Sequence, residues 1–350
     1  MTIIADPRFQ ISYVSCYFIG IERAGYNLKF NIIKDFPLVD EWQLQRGMPL
    51  VANGKKYFFD VHDASDVDEV IYDWCDVYAK INVNEPDAER EKMTVLGPNF
   101  SVRVDNPIRT VILGIVNYVR AFGHWNDKVH PSFFFFMKGY LYTLYRRKRY
   151  SVYSDSFDED KDYVFSMNTL WYDPFTVRAT NRYRYAFMMA CKRYVKEFEG
   201  GFFYIGSKSV RKYYPNYKDY LERYKGVLWM KRISMNRYLK NIKRSAFVFN
   251  TPAVCGCHGW KLGEYLALNK AIISTPLTRV MPGDFQKDKH YICVTNEKEI
   301  EEAVLMLSKD PELAQLLKRN VHEYYEKWIA PEAVVRRVFG GKTTKNPLHG

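Results

Sequence analysis

Apolar residues along this chain fall into short runs set apart by polar turns, and into stripes with the 3.6-residue period of a helix. In the first part, residues 10–17 (QISYVSCY), 28–33, 56–61, 76–83 and 92–96 read as strands. Residues 67–74 carry a helical stripe, Val67, Val70, Ile71 and Trp74. Residues 106–122 read as a helix: Asn106 is placed to cap it, and Pro107 fits its first position. Ile108, Val111, Ile112, Ile115, Val116 and Val119 share one broad face of that helix. A second helix or helical hairpin starts near residue 131, contains Phe133-Phe134-Phe135-Phe136 and ends in Arg146-Arg147-Lys148-Arg149.

The pattern breaks at residues 155–162 (DSFDEDKD), which are acidic and poor in apolar side chains. Beyond the break, residues 163–169 read as a strand and 178–198 as a helix stopped by Gly200-Gly201. Strands are expected over 202–205, 227–230, 246–249, 271–275 and 291–295, with helices over 218–224, 234–244 and 262–269 between them. Asn296 is placed to cap a helix with Ile300, Ala303, Val304 and Leu307 inward, and Pro311 and Pro331 open two more. Strand and helix alternate throughout, so the expectation is an α/β protein of two Rossmann-like doubly wound domains facing a cleft. The expected divisions are an N-terminal domain over 1–154, a linker over 155–162, a C-terminal domain over 163–330, a last helix over 331–341 and a tail over 342–350.

At 350 residues two domains are natural, and 47% hydrophobic content is that of a folded chain. No leading basic, apolar and small pattern marks a signal peptide, and no apolar run reaches the ~18–20 residues of a spanning helix. Six cysteines in so long a chain do not suggest a disulfide framework, which fits a reducing, cytoplasmic setting. The net charge of +12 is uneven. Residues 178–244 hold 18 Lys and Arg against four acids, an excess larger than that of the whole chain. An anionic partner is expected there: a nucleoside diphosphate, a phosphorylated lipid surface or nucleic acid.

Residues 246–275 (AFVFNTPAVCGCHGWKLGEYLALNKAIIST) read as strand, Gly-containing loop, helix and strand. In α/β sheets ligands lie beyond the carboxyl ends of strands, against helix N-termini. Here that position holds Gly259, Trp260 and Lys261, which offer backbone amides and a cation to a diphosphate, and Glu264 in the first turn. Each has a plainer reading: the glycines serve only to turn the loop, and a first-turn Glu is stabilised by the helix dipole alone. Cys255, Cys257 and His258 lack the second ligand pair of a structural zinc site, so no metal is expected.

Gly256-Cys257-His258-Gly259, Glu264-Tyr265-Leu266-Ala267 and Asn269-Lys270-Ala271-Ile272-Ile273-Ser274-Thr275 resemble the nucleotide-sugar end of GT-B-type glycosyltransferases. The resemblance implies a glycosyltransferase taking a nucleoside-diphosphate sugar, without cofactor or bound metal, and delivering it to a glycan or lipid-linked acceptor of the bacterial envelope. It gives Glu264 the ribose hydroxyls of the donor. A second acid, found seven residues earlier in many members, is replaced by Cys257. It implies that basic side chains stabilise the leaving diphosphate, with Lys208, Arg211 and Arg184 as candidates, and that His62 or Asp63 acts as base if configuration inverts. Residues 133–149, four adjacent Phe and then four adjacent cations, have both halves of a surface element at the inner membrane face. Two other readings stay open: a basic nucleic-acid-binding protein, and a GT-B-shaped epimerase acting on the same donors.

Overall fold

The computed structural model describes residues 1–37, 46–125, 131–154, 159–171, 179–203, 217–229 and 232–340. The N-terminal sheet is built from β1 (Thr2–Ala5), β2 (Asn27–Phe30), β3 (Gly47–Ala52), β4 (Lys55–Asp60), β5 (Val77–Lys80) and β6 (Met93–Val95), in the order β2-β1-β3-β4-β5-β6. β3 runs antiparallel to both neighbours, and the other pairs are parallel. Helix α1 (Ile11–Arg23) follows β1, and two short helices, α2 (Glu69–Trp74) and α3 (Glu85–Ala88), join β4 to β6. Next come α4 (Pro107–Ala121), α5 (Phe133–Arg146) and α6 (Ser151–Ser154).

The second half carries β7 (Tyr163–Thr169), α7 (Thr180–Tyr194), β8 (Glu197–Phe203), α8 (Tyr217–Arg223) and β9 (Leu228–Trp229). Then follow α9 (Met235–Arg244), β10 (Phe247–Asn250), α10 (Trp260–Ala267), β11 (Ala271–Ser274) and β12 (Ile292–Cys293). Helices α11 (Glu297–Lys309), α12 (Pro311–Tyr324) and α13 (Pro331–Phe339) complete it. The strands pair in parallel as β9-β8-β7 and β10-β11-β12. These two sheets meet edge to edge: the Ala246 amide donates to the Tyr163 carbonyl at 2.9 Å, and the Phe165 amide to Ser245 Oγ at 3.0 Å. The spatial order is therefore 9-8-7-10-11-12. That is a doubly wound sheet whose winding reverses between β7 and β10.

Helix α13 packs on the N-terminal domain. Phe339 stacks on Phe59 at 5.8 Å and touches Tyr57 at 4.6 Å. Gly20 of α1 makes this crossing possible, since a Cβ there would stand 2.3 Å from the Pro331 carbonyl oxygen. Residues 159–162 are tied to the second domain: Asp160 accepts from Arg244 at 2.6 Å, and Glu159 pairs with Lys270 and Lys318. Residues 155–158 and the tail from 341 lie outside the described residues.

Two expectations are corrected, and two features the pattern left open are filled in. Residues 10–17 are not a strand but most of α1. Ile11, Val14, Ser15, Cys16, Tyr17 and Phe18 are all buried, so no polar face reveals the helical period. The true first strands, β1 and β3, were hidden by shortness and by Pro49. Gly200-Gly201 does not stop a helix. Both lie inside β8 at φ 146° and 158°, where a Cβ on Gly200 would collide with the Ser166 carbonyl at 2.0 Å. The broad apolar face of α4 turns outward: Ile108, Ile112, Ile115 and Val119 are exposed.

Gly20→Ala should lower stability by about 1–3 kcal/mol, the cost of forcing a methyl into a filled contact. In α5, Gly139 has only ordinary contacts at 3.9 Å. Gly139→Ala should instead stabilise by about 0.5–1 kcal/mol through helix propensity. Thermal melts of the two variants, moving in opposite directions, check this pair.

Candidate functional site

The reversal between β7 and β10 brings their carboxyl ends together: Asn168, next to last in β7, and Asn250, then Thr251, on the other, all buried. Helix α10 points its N-terminus at the same spot, capped by Gly259 with no side chain in the way. The loop before it turns sharply, with Cys255 at φ 55° and Gly256 at φ 72°.

Two cations lie here. Arg184, on α7, is buried, and its Nε donates to Thr251 Oγ1 at 2.9 Å. Burial pushes its pKa down to about 10. Lys261 donates to the Met167 carbonyl and to Asn168 Oδ1 at 2.7 Å. Loss of water around it, and then the nearby Arg184 charge, push it down to about 7, against the pull of Glu264. Two cations stripped of water beside one another favour a ligand that restores negative charge.

Glu264 is buried one turn further along α10. Its Oε2 accepts from the Tyr238 hydroxyl at 3.1 Å and its Oε1 from the Tyr153 hydroxyl at 3.5 Å. Arg147 Nη1 stands 3.7 Å from Oε1. Burial raises the Glu264 pKa, and Arg147, Tyr238, Lys261 and Tyr153 oppose it. The Arg147 guanidinium lies 4.3 Å over the Trp260 ring and donates to the Tyr142 hydroxyl at 2.6 Å. Arg147 thus covers both Trp260 and Glu264.

The N-terminal domain meets this site through Tyr13, whose ring packs edge-on against Trp260 at 5.6 Å. The charges of Asp63 and Arg147 both act on the Tyr13 hydroxyl, so Asp63 lies near the same ring. The Cys257 thiol hydrogen-bonds Asp63, and burial pushes that thiol up. His62 is held from behind. Its backbone amide donates to Asp60 Oδ1 at 2.9 Å, and the buried Asp60 also accepts from Tyr78, Lys80 and Arg46. Asn82 bridges the domains, donating to the His62 carbonyl and accepting from the His258 amide at 2.8 Å. Burial pulls His258 down to about 4, which keeps it neutral.

The structure therefore gathers Gly259, Trp260, Lys261, Glu264 and Arg184 at the reversal point, with Asp63 and His62 on the facing loop. Lys208 and Arg211 lie outside the described residues. Sequence reasoning missed Arg147, Tyr153, Tyr238 and Tyr13. Arg147 was hidden in a basic run, and nothing sets those tyrosines apart among the 28 of the chain. Among the described residues no group of three or more His, Cys, Asp or Glu converges as a metal site.

No protein-family model matches the chain, and no curated protein matches it by sequence. Among solved structures it is similar to the C-terminal domain of LpcC, a group 1 family glycosyl transferase from Francisella tularensis, at 16% identity and TM-score 0.34, over 51% of this chain and 91% of that one. It is similar to Anabaena HepE in complex with UDP, at 8% identity and TM-score 0.42, over 77% of this chain and 64% of that one. It is similar to WaaG, a glycosyltransferase involved in lipopolysaccharide biosynthesis, at 10% identity and TM-score 0.37, over 75% and 63%. The chain thus spans under two thirds of the length of HepE and WaaG. These likenesses concern the path of the chain.

Arg147→Ala removes the only side-chain cation within ion-pair distance of Glu264 among the described residues. The Glu264 pKa, already raised, should rise further. Between the unfolded value and that raised one, the folded state holds a proton that the unfolded state has lost, so stability falls as pH increases. The variant's loss of melting temperature should therefore be larger at pH 7 than near pH 4.5. Equal losses at both would remove the charge coupling between these residues.

Proposed function

We propose that the chain is a glycosyltransferase whose donor is a nucleoside-diphosphate sugar. The observation that carries this reading is the pair of desolvated cations, Arg184 and Lys261, beside a buried carboxylate at the reversal point of a doubly wound sheet. Such points bind nucleotides with phosphate against a helix N-terminus. The diphosphate would take Lys261, Arg184 and the α10 amides. Glu264, with two oxygens able to accept both protons of a cis-diol, would take the ribose. For this, Arg147 must swing off Trp260 and Glu264. The freed guanidinium would then lie beside the donor, where it can neutralise charge that develops on the leaving diphosphate. The acceptor, a glycan or lipid-linked sugar, would enter from the side of Asp63 and His62, one of which takes its proton if configuration inverts.

In the described part of the basic region, several of the cations behind the nucleic-acid reading are paired with acids. Arg182 pairs with Glu297 at 3.0 Å, Arg193 with Glu301 at 2.5 Å and Arg237 with Glu199 at 2.8 Å. Arg244 pairs with Asp160 and Glu197, each at 2.6 Å. Of these acids only Glu297, Glu301 and Asp160 lie outside residues 178–244, and they offset part of that region's excess.

A thermal-shift panel of UDP, GDP, TDP and ADP tests the proposal. One of them should stabilise the protein by about 2.7 kcal/mol at a hundredfold excess over Kd, with EDTA present as well as absent. Glu264→Gln should weaken that nucleoside diphosphate about 10–100-fold, the worth of a charge-assisted hydrogen bond, and leave inorganic diphosphate unchanged. Lys261→Met should weaken both. If no nucleotide shifts the melt, or Glu264→Gln binds like the parent, the assignment fails.

Binding should also take up a proton. At pH 8 Lys261, with its pKa near 7, is mostly neutral, and a diphosphate beside it restores the cation. Calorimetry at pH 8 in two buffers of different ionisation enthalpy should show proton uptake in the parent and none in Lys261→Met.

A further inference from the structure

Helix α4 is inside out. Its buried residues are Thr110, Gly114, Asn117 and Ala121, one small and polar stripe. The opposite stripe is Ile108, Ile112, Ile115 and Val119, continued by Phe122 just past the helix end, and all of it is exposed. Ile108 is 73% exposed, Val119 67% and Phe122 68%. A helix whose partner were only water would turn the other way, because each buried aliphatic side chain is worth about 1.5–3 kcal/mol. Next to α4, α5 shows a second exposed stripe, Phe134, Lys138, Leu141 and Tyr145, with Phe134 at 83%. Among the described residues, the two helices hold most of the large apolar side chains that are exposed. No helix among the described residues is long and apolar enough to cross a membrane.

We infer that α4 and α5 form a membrane-docking surface for an anionic bilayer. Charge decides the occupant. Residues 107–149 contain eight Lys and Arg and one acid, Asp127. Arg109 and Arg120 flank the α4 stripe, with Arg109 3.8 Å from Asp105, and Arg146 and Arg149 are exposed around the end of α5. Apolar side chains framed by cations suit the boundary between acyl chains and anionic headgroups. A second copy suits it poorly, since a two-fold contact would set this cationic patch against itself. The α4 stripe spans about 21 Å, enough for the helix to lie along the bilayer. Helix α5 then leads from that surface to the site, because Arg147 follows it directly and covers Trp260. A lipid-carried acceptor follows from this placement and rests on the glycosyltransferase reading, whereas the docking surface does not.

The test is co-sedimentation of the full chain with vesicles of phosphatidylcholine alone, or with about one third phosphatidylglycerol, at about 0.1 M and about 1 M salt. The parent should bind the anionic vesicles, less at high salt. The double variant Ile112→Glu, Val119→Glu should bind them at least tenfold less. The double variant Arg146→Glu, Arg149→Glu should lose the preference for anionic over neutral vesicles. Both variants should keep the parent's melting temperature and its nucleotide response, since none of these residues is buried or part of the donor site. Parent protein that ignores anionic vesicles, or an Ile112→Glu, Val119→Glu variant that binds like the parent, overturns the proposal. So does a parent dimer, seen by sedimentation velocity, that this variant abolishes, because a second copy would then cover the face. A missing nucleotide response in every form would count against the donor reading alone.

Discussion

One buried carboxylate holds the two halves of this molecule in register. Removing an ion from water costs several kcal/mol unless its lone pairs are met by donors. Glu264 meets that demand with Tyr238 from α9, Tyr153 from α6 and Arg147 from the segment after α5. None of these lies on its own helix, so satisfying one charge fixes three other elements around α10. The next-door residue adds a steric constraint. A Cβ on Gly263 would stand 2.8 Å from the Asn99 carbonyl oxygen, so α10 presses on the backbone of the N-terminal domain. The helix that carries the site is therefore also the joint between domains.

That joint explains why the cations beside it differ from others on the chain. Arg193, Arg237 and Arg244 sit at the surface with acids opposite, pairs that contribute little to stability because water screens them. Arg184 and Lys261 face strand ends and hydroxyl, amide or carbonyl oxygens instead. Neutral oxygens solvate a cation partly and leave its charge uncompensated, hence the depressed values at both residues. The cluster is thus poised to take an anion. Its carboxylate neighbour would otherwise fill that place, but the N-terminal domain has already claimed it through Arg147.

Much of this was legible from residue chemistry. Asn106, Ser234 and Asn296 cap helices as short polar side chains do, each accepting from an amide three residues on. Strand, loop, helix and strand over 247–274 stand where the apolar runs put them. Lys261 and Glu264 were visible because a Gly-containing loop and helix start leave few places for a ligand. The partners were not. Tyr153 and Tyr238 are 111 and 26 residues from Glu264, and no local pattern links them. Residues 10–17 misled because a helix buried on all sides loses its polar stripe, and period is the only local signal that separates it from a strand. Gly200-Gly201 misled because glycine both ends helices and lets strands approach closely.

Helix α4 shows where periodicity stops carrying information. A stripe at 108, 112, 115, 119 and 122 establishes an amphipathic helix, but not which face meets the protein. Here the opposite stripe won, and Gly114 shows how. A Cβ there would lie 2.8 Å from both Sδ and Cε of Met137, so α4 and α5 approach more closely along the small residues than any aliphatic seam would allow. Asn117 donates to the Tyr140 hydroxyl at 3.0 Å within the same seam. Close van der Waals contact and the Asn117–Tyr140 hydrogen bond thus accompany the inward polar face, and the aliphatic face is left over. Tight seams of small residues with apolar exteriors are what helices use where the surroundings are themselves apolar. On the docking proposal, the packing of α4 suits a bilayer surface, while its length and its flanking charges suit a helix that lies on that surface without crossing it.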